Sequence, residues 1–457
     1  MSQQDEPRAA GPRLLDELYA GMALFFAMYY ILSVNPAILE QAGMPRSATL
    51  FGTIVAIVLG NLTGVLTTRT GLMIAPAVGI SSFFATYVQN VRPPEMFDWR
   101  DAMAGCVIAG VALTLTSFYT NLRSRIIEDL PKPVRKGASA AIGSLLVKKA
   151  FDLYTDSVNR GLDPKFGVVF MGLGTAVIIA FFLLRSRYPR HHLGQLVLRS
   201  EFVIVVGLVV WALHVWQPHY LASLQTHTTL SFLWSDPGVW SQWTLDGHVL
   251  PTCALMIVFA AIIWFIVVSD IPGTPNEVLP DRIKNTDGAR AVEGGFKNDG
   301  IWALISPLVG TTPTIYYAEN NILRDFDVYS MRVGICTIVL FVAVIALTYG
   351  FGISLEQLIP PFATIPIVLF IGIFIISVAF MRRPDEAEST IKPGYYIPTA
   401  IAVILTPRLG IEYAFPLSAM SYWLVRDKTD PGGPTFVWIS IGACVSLGLF
   451  FLVYLQS

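Results

Sequence analysis

Apolar residues in this chain come in long runs with polar connections between them. Runs at 18–39, 48–66, 71–90, 102–121, 134–150, 166–185 and 201–216 are followed by a polar stretch from Gln217 to Gly247. Further runs fill 249–269, 299–310, 311–322, 332–352, 365–380, 393–406 and 409–424. A helix needs roughly 20 residues to cross a bilayer, so the pattern predicts an all-α polytopic membrane protein with fourteen transmembrane segments. Residues 1–216 form a first set of seven, 217–248 an extracytoplasmic connection, and 249–425 a second set of seven. In 426–457 an apolar run at 435–455 is either a further crossing or a helix lying along the protein.

Prolines and glycines interrupt the two sets at matching places. The third segment contains Pro76 and Gly79 (IAPAVGISSFF), and the tenth lies in GTTPTIYYAENN with Gly310 and Pro313. Prolines also precede segment 5 (Pro131, Pro133) and segment 12 (Pro360, Pro361). Because seven is odd, a second copy must be inverted in the membrane. Interrupted helices at corresponding positions of inverted halves point to a transporter's binding site near the midplane. The plainer reading is that Pro and Gly are simply common in membrane helices. Proline withholds an N–H and disfavours helix at the residue before it, so backbone groups near Thr311, Thr312 and Thr314 are expected to be free for a ligand.

Composition agrees with a membrane protein: 54% of the residues are hydrophobic and 14% charged. The net charge of −1 conceals where the charges lie. With the N-terminus inside, 8 of the 31 lysines and arginines fall outside: Arg46, Arg92, Arg100, Lys148, Lys149, Arg160, Lys165 and Arg408. That bias places the N-terminus in the cytoplasm of a cell (inner or plasma) membrane. The polar start leads into an apolar run too long for a cleavable signal. Cys106, Cys253, Cys336 and Cys444 stand singly in apolar runs and read as packing residues, and no His lies at metal-ligand spacing. Lys148 and Lys149 at the end of segment 5 could tune a gate, with snorkelling to the interface as the commoner role.

Two acids end apolar stretches next to breaks. Glu319 follows Pro313, and Asp270 precedes Pro272 and Gly273 in IVVSDIPGTPNEV. Either could be a helix end at the headgroups; a carboxylate in an apolar setting more often lines a cavity or binds something. Two carboxylates at one low-dielectric cavity cannot both ionise cheaply, which leaves a group able to take and release a proton during transport. The other can accept from a ligand's N–H groups. Tyr317, Phe83 and Phe84 offer flat faces to a planar ring, with packing as the commoner role for such aromatics. Ser81 and Ser82 add hydroxyls, equally suited to helix contact.

These residues carry a family resemblance. Ala20 to Met44, AGMALFFAMYYILSVNPAILEQAGM, resembles the first helix of the AzgA-like purine permeases in the nucleobase cation symporter-2 family. APAVGISSFF is similar to that family's APGMGLNAFF, SDIPGT to FDTLGT, and IPPFATIPIVLFIG to IPAYATAPALILVG. Asp299, the pair Gly310 and Thr311, and Tyr317 with Glu319 recur in register. The chain departs from the pattern at Ala23, Leu24 and Ala27, at Ala77 and Ser81, at Pro272, and in NNILRDFDVYS and TPRLGIEYAF.

The resemblance implies fourteen helices in a 7+7 inverted repeat. A core domain (segments 1–4 and 8–11) would move as an elevator against a gate domain (segments 5–7 and 12–14), usually in a homodimer. It implies proton-coupled uptake of a purine nucleobase, with no cofactor; H⁺ is the expected coupling ion and Na⁺ the alternative. By position, Glu319, Asp270, Tyr317, Ser81, Phe83, Thr312 and Ala75 would bind substrate, and Asp270 and Glu319 would couple protons. The partners are a nucleobase and the bilayer, with no nucleic acid. Rival readings are a same-fold carrier of another heterocycle or a small anion, and a nucleobase-binding membrane protein that does not transport. An anion site prefers a cation or bare helix N-termini to two acids. An intramembrane enzyme would need a nucleophile with a base or a metal cluster, and neither HExxH nor GxSxG occurs.

Overall fold

Runs with no polar face satisfy their backbone as helices, and α-helices stand at thirteen of the fourteen apolar runs, the run at 311–322 holding a short strand and a 3₁₀ turn instead. The computed structural model describes residues 14–90, 97–119, 131–185, 196, 199–224, 230–233, 249–269, 274–280, 289–351, 355–380 and 393–425. Asp270 and the run at 435–455 lie outside them. The elements of the first half are α1 (Leu14–Met28), α2 (Ile31–Glu40), α3 (Arg46–Thr68), β1 (Ile74–Pro76), α4 (Val78–Asn90), α5 (Trp99–Phe118), α6 (Lys132–Asn159), α7 (Pro164–Arg185), α8 (Glu201–Trp216) and α9 (Pro218–Ser223). The second half has α10 (Val249–Ser269), α11 (Pro275–Val278), α12 (Ala289–Leu308), β2 (Thr314–Tyr316), a 3₁₀ turn (Ala318–Asn321), α13 (Ile322–Phe326), α14 (Met331–Gly350), α15 (Leu355–Leu358), α16 (Pro361–Phe380), α17 (Pro393–Leu409) and α18 (Ile411–Val425). Among the described residues, six stretches are long and apolar enough to cross a membrane alone: Leu14–Glu40, α3, α5, Pro164–Leu184, α14 and α16.

The all-α expectation needs one correction. The two proline breaks extend into three-residue strands, and β1 pairs antiparallel with β2 in the register Ile74↔Tyr316, Ala75↔Ile315, Pro76↔Thr314. Two interrupted segments at membrane depth each expose backbone that lipid cannot solvate, and pairing with one another meets part of that demand. The thirteen-residue helix α4 starts at Val78, directly after β1. On the other side α12 ends at Leu308, and Gly310 takes φ +102°, a left-handed turn that glycine adopts without strain.

The helices pack in two groups. In one, α5 lies against α10 and α12, α3 against α2, α12 and α14, and α1 against α14. In the other, α6 lies against α16, α17 and α18, while α7 packs on α8 and α16. Small residues allow close approach within the first group: a Cβ on Gly52 would sit 2.6 Å from the Val309 carbonyl, and one on Gly110 would sit 2.6 Å from Leu304 Cα. Between the groups run the contacts of α4 and α10 with α6, α1 with α8, and α2 with α16.

Lys149 lies at this boundary and does not snorkel. Its side chain is 0% exposed, and its ammonium donates to Gln41 Oε1 at 3.1 Å and Gln89 Oε1 at 3.3 Å. Two of its three polar partners are on the neighbouring helix group, and the third, Asp152, is on its own helix at 3.4 Å. Of the cysteines, Cys106 is buried, Cys336 half-buried and Cys253 exposed.

Candidate functional site

The crossing of the two breaks is built by side chains that finish what the short strands leave undone. The Ile74 carbonyl accepts from Asn61 Nδ2 at 2.8 Å, and Asn61 Oδ1 accepts from the Ile74 N–H at 2.6 Å. With Ile74 held from α3, the alternation of an antiparallel pair puts the ladder to β2 at Ala75 opposite Ile315. Asn320 repeats the device one residue earlier, accepting from the Met73 N–H at 2.9 Å and donating to the Met73 carbonyl at 2.8 Å. Pro76 has no N–H, and its carbonyl accepts from Tyr317 Oη at 2.5 Å. The Ala77 N–H donates to the Pro313 carbonyl at 3.4 Å. Every backbone donor and acceptor from Met73 to Pro76 thus has a named use.

Beneath the strands lies a buried hydroxyl and amide network. Asn35 Nδ2 donates to Thr53 Oγ1 and Thr311 Oγ1, both at 2.8 Å. Ser81 Oγ donates to Asn35 Oδ1 at 2.5 Å and lies 2.7 Å from Thr312 Oγ1. Four elements, α2, α3, α4 and the loop before β2, are joined here. Low dielectric strengthens each bond and makes an unfilled one costly, so such a network fixes the geometry of the crossing.

The sequence-predicted site residues fall in three environments. Ser81, Thr312 and Ala75 are fully buried, the first two in the hydroxyl network and Ala75 in β1. The N–H of Thr311 bonds to the Ser306 carbonyl at 3.0 Å, so it is not free as expected. Phe83 is 1% exposed and stacks on Phe259 of α10 with ring centroids 5.0 Å apart and 16° between planes. Phe84, Tyr87 and Phe97 close around the same Phe259 ring. Tyr317 is 6% exposed, its hydroxyl spent on Pro76.

Glu319 differs from all of these. It sits in the 3₁₀ turn after β2, keeps partial exposure, and its Oε1 lies 3.4 Å from the Tyr30 hydroxyl, a long hydrogen bond. Tyr30 occupies the interruption between α1 and α2 and meets Phe202 of α8 edge-on at 5.8 Å. The acid therefore stands where the first helix group meets the second. The N–H groups of Val78, Gly79 and Ile80 have no partner within α4, so the crossing also carries the positive end of a helix. A carboxylate acceptor, a phenol and a helix N-terminus can together hold a small polar ligand. Among the described residues no group of three or more His, Cys, Asp or Glu could hold a metal ion.

Asn61, Asn320 and Tyr30 were not singled out as site residues from the sequence. An available signal was an amide inside an apolar run, as in VLGNLTG, because a polar side chain at membrane depth seeks a partner.

Broken helices meeting through a short sheet, with an acid at the junction of two helix groups, define a polytopic membrane carrier. The chain belongs to the Permease family of the nucleobase cation symporter-2 type, whose model matches residues 15–348. It is similar to the guanine/hypoxanthine permease GhxP of Escherichia coli O157:H7, with 26% identity over 89% of this chain and 87% of that protein. It is also similar to the adenine permease AdeQ of Escherichia coli K12, at 24% identity over 95% and 91% of the two chains. These relatives are transporters, and so is this chain; it is not an enzyme. In fold it resembles the transmembrane domain of a cyanobacterial bicarbonate transporter, BicA, with a TM-score of 0.58 and 16% identity over 87% of this chain and 96% of that one. SLC26A9 gives a TM-score of 0.53 at 11% identity over 95% and 65% of the chains.

Proposed function

We propose that this permease carries a purine nucleobase, of the adenine, guanine or hypoxanthine kind, into the cell together with a proton. The observation that carries the reading is Glu319, a partly exposed residue whose carboxylate stands at the crossing of two broken helices with Tyr30 beside it. A purine presents ring N–H groups to a carboxylate acceptor, and its ring carbonyls or unprotonated nitrogens suit helix N-terminal donors such as those of α4. Full-length relatives named as guanine/hypoxanthine and adenine permeases support this substrate class.

In the proposed cycle Glu319 holds the N–H edge of the base and Asp270 responds to the proton. Fourteen crossings form a 7+7 inverted repeat with the N-terminus in the cytoplasm, and two copies associate as a homodimer. The group of α1–α5, α10, α12 and α14 is the core, and it slides as an elevator against the gate of α6–α8 and α16–α18. Tyr317 and the stretch from Ala75 to Phe83 support the pocket from behind, with Ser81 and Thr312 fixing its geometry.

Uptake of labelled adenine, guanine, hypoxanthine, xanthine and uracil by cells lacking their own carriers tests this, with and without a protonophore. Saturable uptake of a purine is expected, collapsing with the protonophore and in Glu319→Gln. Unchanged uptake by the variant would remove Glu319 from the site.

A further inference from the structure

The face that α4 turns to α6 carries an arrangement of side chains to which the pocket assigns no direct contact with the base. Gly79 lies at one end, where a Cβ would come 2.4 Å from Ile142 Cγ2 of α6. Gln89 lies at the other, with its Oε1 accepting from Lys149 Nζ of α6 at 3.3 Å. At about 100° per residue, Ser82, Thr86 and Gln89 all fall within roughly 80° of Gly79 around the helix axis. The stripe is thus small at one end and polar throughout the rest. Ser82 is 0% exposed and Thr86 3%, and neither hydroxyl has a hydrogen-bond partner.

Lys149 anchors the stripe from the opposite helix group. Its ammonium reaches Gln89, Gln41 in the turn after α2, and Asp152 on its own helix at 3.4 Å. Gln89 in turn donates through Nε2 to the Gln41 carbonyl at 2.9 Å, which closes a ring of polar groups around the lysine. Lys148 pairs with the same Asp152 at 3.0 Å. A lysine needed only for packing would send its charge along its four-carbon stem toward water. Here the stem is fully buried and the ammonium is turned across the boundary between groups onto Gln89 and Gln41, so the bonds it makes there link the two groups directly.

We propose that Lys149 sets the register between the two helix groups. It holds α4 at Gln89 in the arrangement described, and it re-engages the Thr86 and then the Ser82 hydroxyl when α4 moves along α6. Thr86 lies three residues before Gln89 and Ser82 four before Thr86, so successive acceptors are about 4.5 and 6 Å apart along the axis, close to one helical turn each. A slide of α4 toward its own C-terminal end brings them to the level of the ammonium in that order. Each hydroxyl has lone pairs to accept a bond from it. The two idle hydroxyls are then the lysine's resting points in other positions of the slide, and Gly79 lets the two helices come close at Ile142 in the starting position. This rests on the elevator reading above, although not on the identity of the substrate.

The test uses the protein with its four cysteines replaced and spin labels at Tyr119→Cys, directly after α5, and Thr155→Cys on α6, reconstituted in lipid nanodiscs without substrate. The unaltered interface should give two populations of label separation, that of the Gln89-held arrangement and a displaced one for the hydroxyl-held positions. Lys149→Met should redistribute them at least threefold, because neither position is then held. Thr86→Val with Ser82→Ala should deplete the displaced separation at least threefold, and should have no further effect in the Lys149→Met background. Lys149→Arg should retain both populations. Two separations in proportions that none of these variants changes would overturn the proposal, as would a Thr86→Val, Ser82→Ala effect that persists undiminished without Lys149. A single separation in every sample would remove the slide itself. Absent base uptake with a responsive label distribution would overturn the substrate assignment and leave the lysine's role standing.

Discussion

Replacing Asn320 with alanine removes an amide that accepts from the Met73 N–H at 2.9 Å and donates to its carbonyl at 2.8 Å. Met73 is fully buried, so both backbone groups lose their partner with no water at hand. An unsatisfied buried polar group costs about 1–3 kcal/mol, which sets the loss at about 2–6 kcal/mol for two of them. Hydrogen bonds between membrane helices average about 0.6 kcal/mol by double-mutant cycles, so the lower part of that range, about 2–3 kcal/mol, is the expected value. The next residue supplies the control. Asn321 donates to the Ala318 carbonyl at 2.9 Å in an exposed position, where solvent can replace the bond. Asn321→Ala should therefore stay within about 0.5 kcal/mol of the parent. Reversible denaturant titration of purified full-length protein in detergent compares the two variants directly. Equal losses, or a loss below about 0.5 kcal/mol for Asn320→Ala, would refute the view that side-chain amides complete the sheet.

Other outcomes follow from the same geometry. Tyr30→Phe removes the hydroxyl that reaches Glu319 across 3.4 Å, and at that length it should weaken base binding by only about 2- to 10-fold in an equilibrium binding assay, within the range of one weak hydrogen bond. Gly79→Ala puts a methyl 2.4 Å from Ile142 Cγ2 and should cost about 1–3 kcal/mol in unfolding free energy while slowing uptake, a loss that Ile142→Ala should partly restore. Phe259→Ala empties the ring cluster shared by Phe83, Tyr87 and Phe97 and should cost about 3–5 kcal/mol by the same titration.

The breaks at Pro76 and Pro313 were legible because proline acts locally: it removes a donor and restricts its neighbour wherever it stands. What the freed backbone does next was not. Three-residue strands carry no usable alternation, and their partners lie about 240 positions apart, as in Ala75↔Ile315. Hydropathy reports how a residue sits relative to lipid, so it placed Lys149 at a helix end and sent it to the interface. The glutamines that hold it inside are on other segments, and their convergence is a product of packing. Glu319 was found because an acid after a membrane break is rare enough to notice alone. Asn61 and Asn320 were passed over because an amide carries no charge and draws attention only once its backbone partner is known.

The pairing of β1 with β2 also bears on how the chain is made. Ala75 finds its strand partner in Ile315, and Met73 finds its amide in Asn320, both in the later half of the molecule. A ribosome adds roughly 5–20 residues per second, so the first break waits at least some ten seconds for its complement to be synthesised. Throughout that interval peptide groups at Met73 and Ala75 stand unmatched in or near lipid. A nascent chain stopped before Thr314 would therefore carry a lasting polar scar, which a membrane quality-control protease could read as a sign of an unfinished protein.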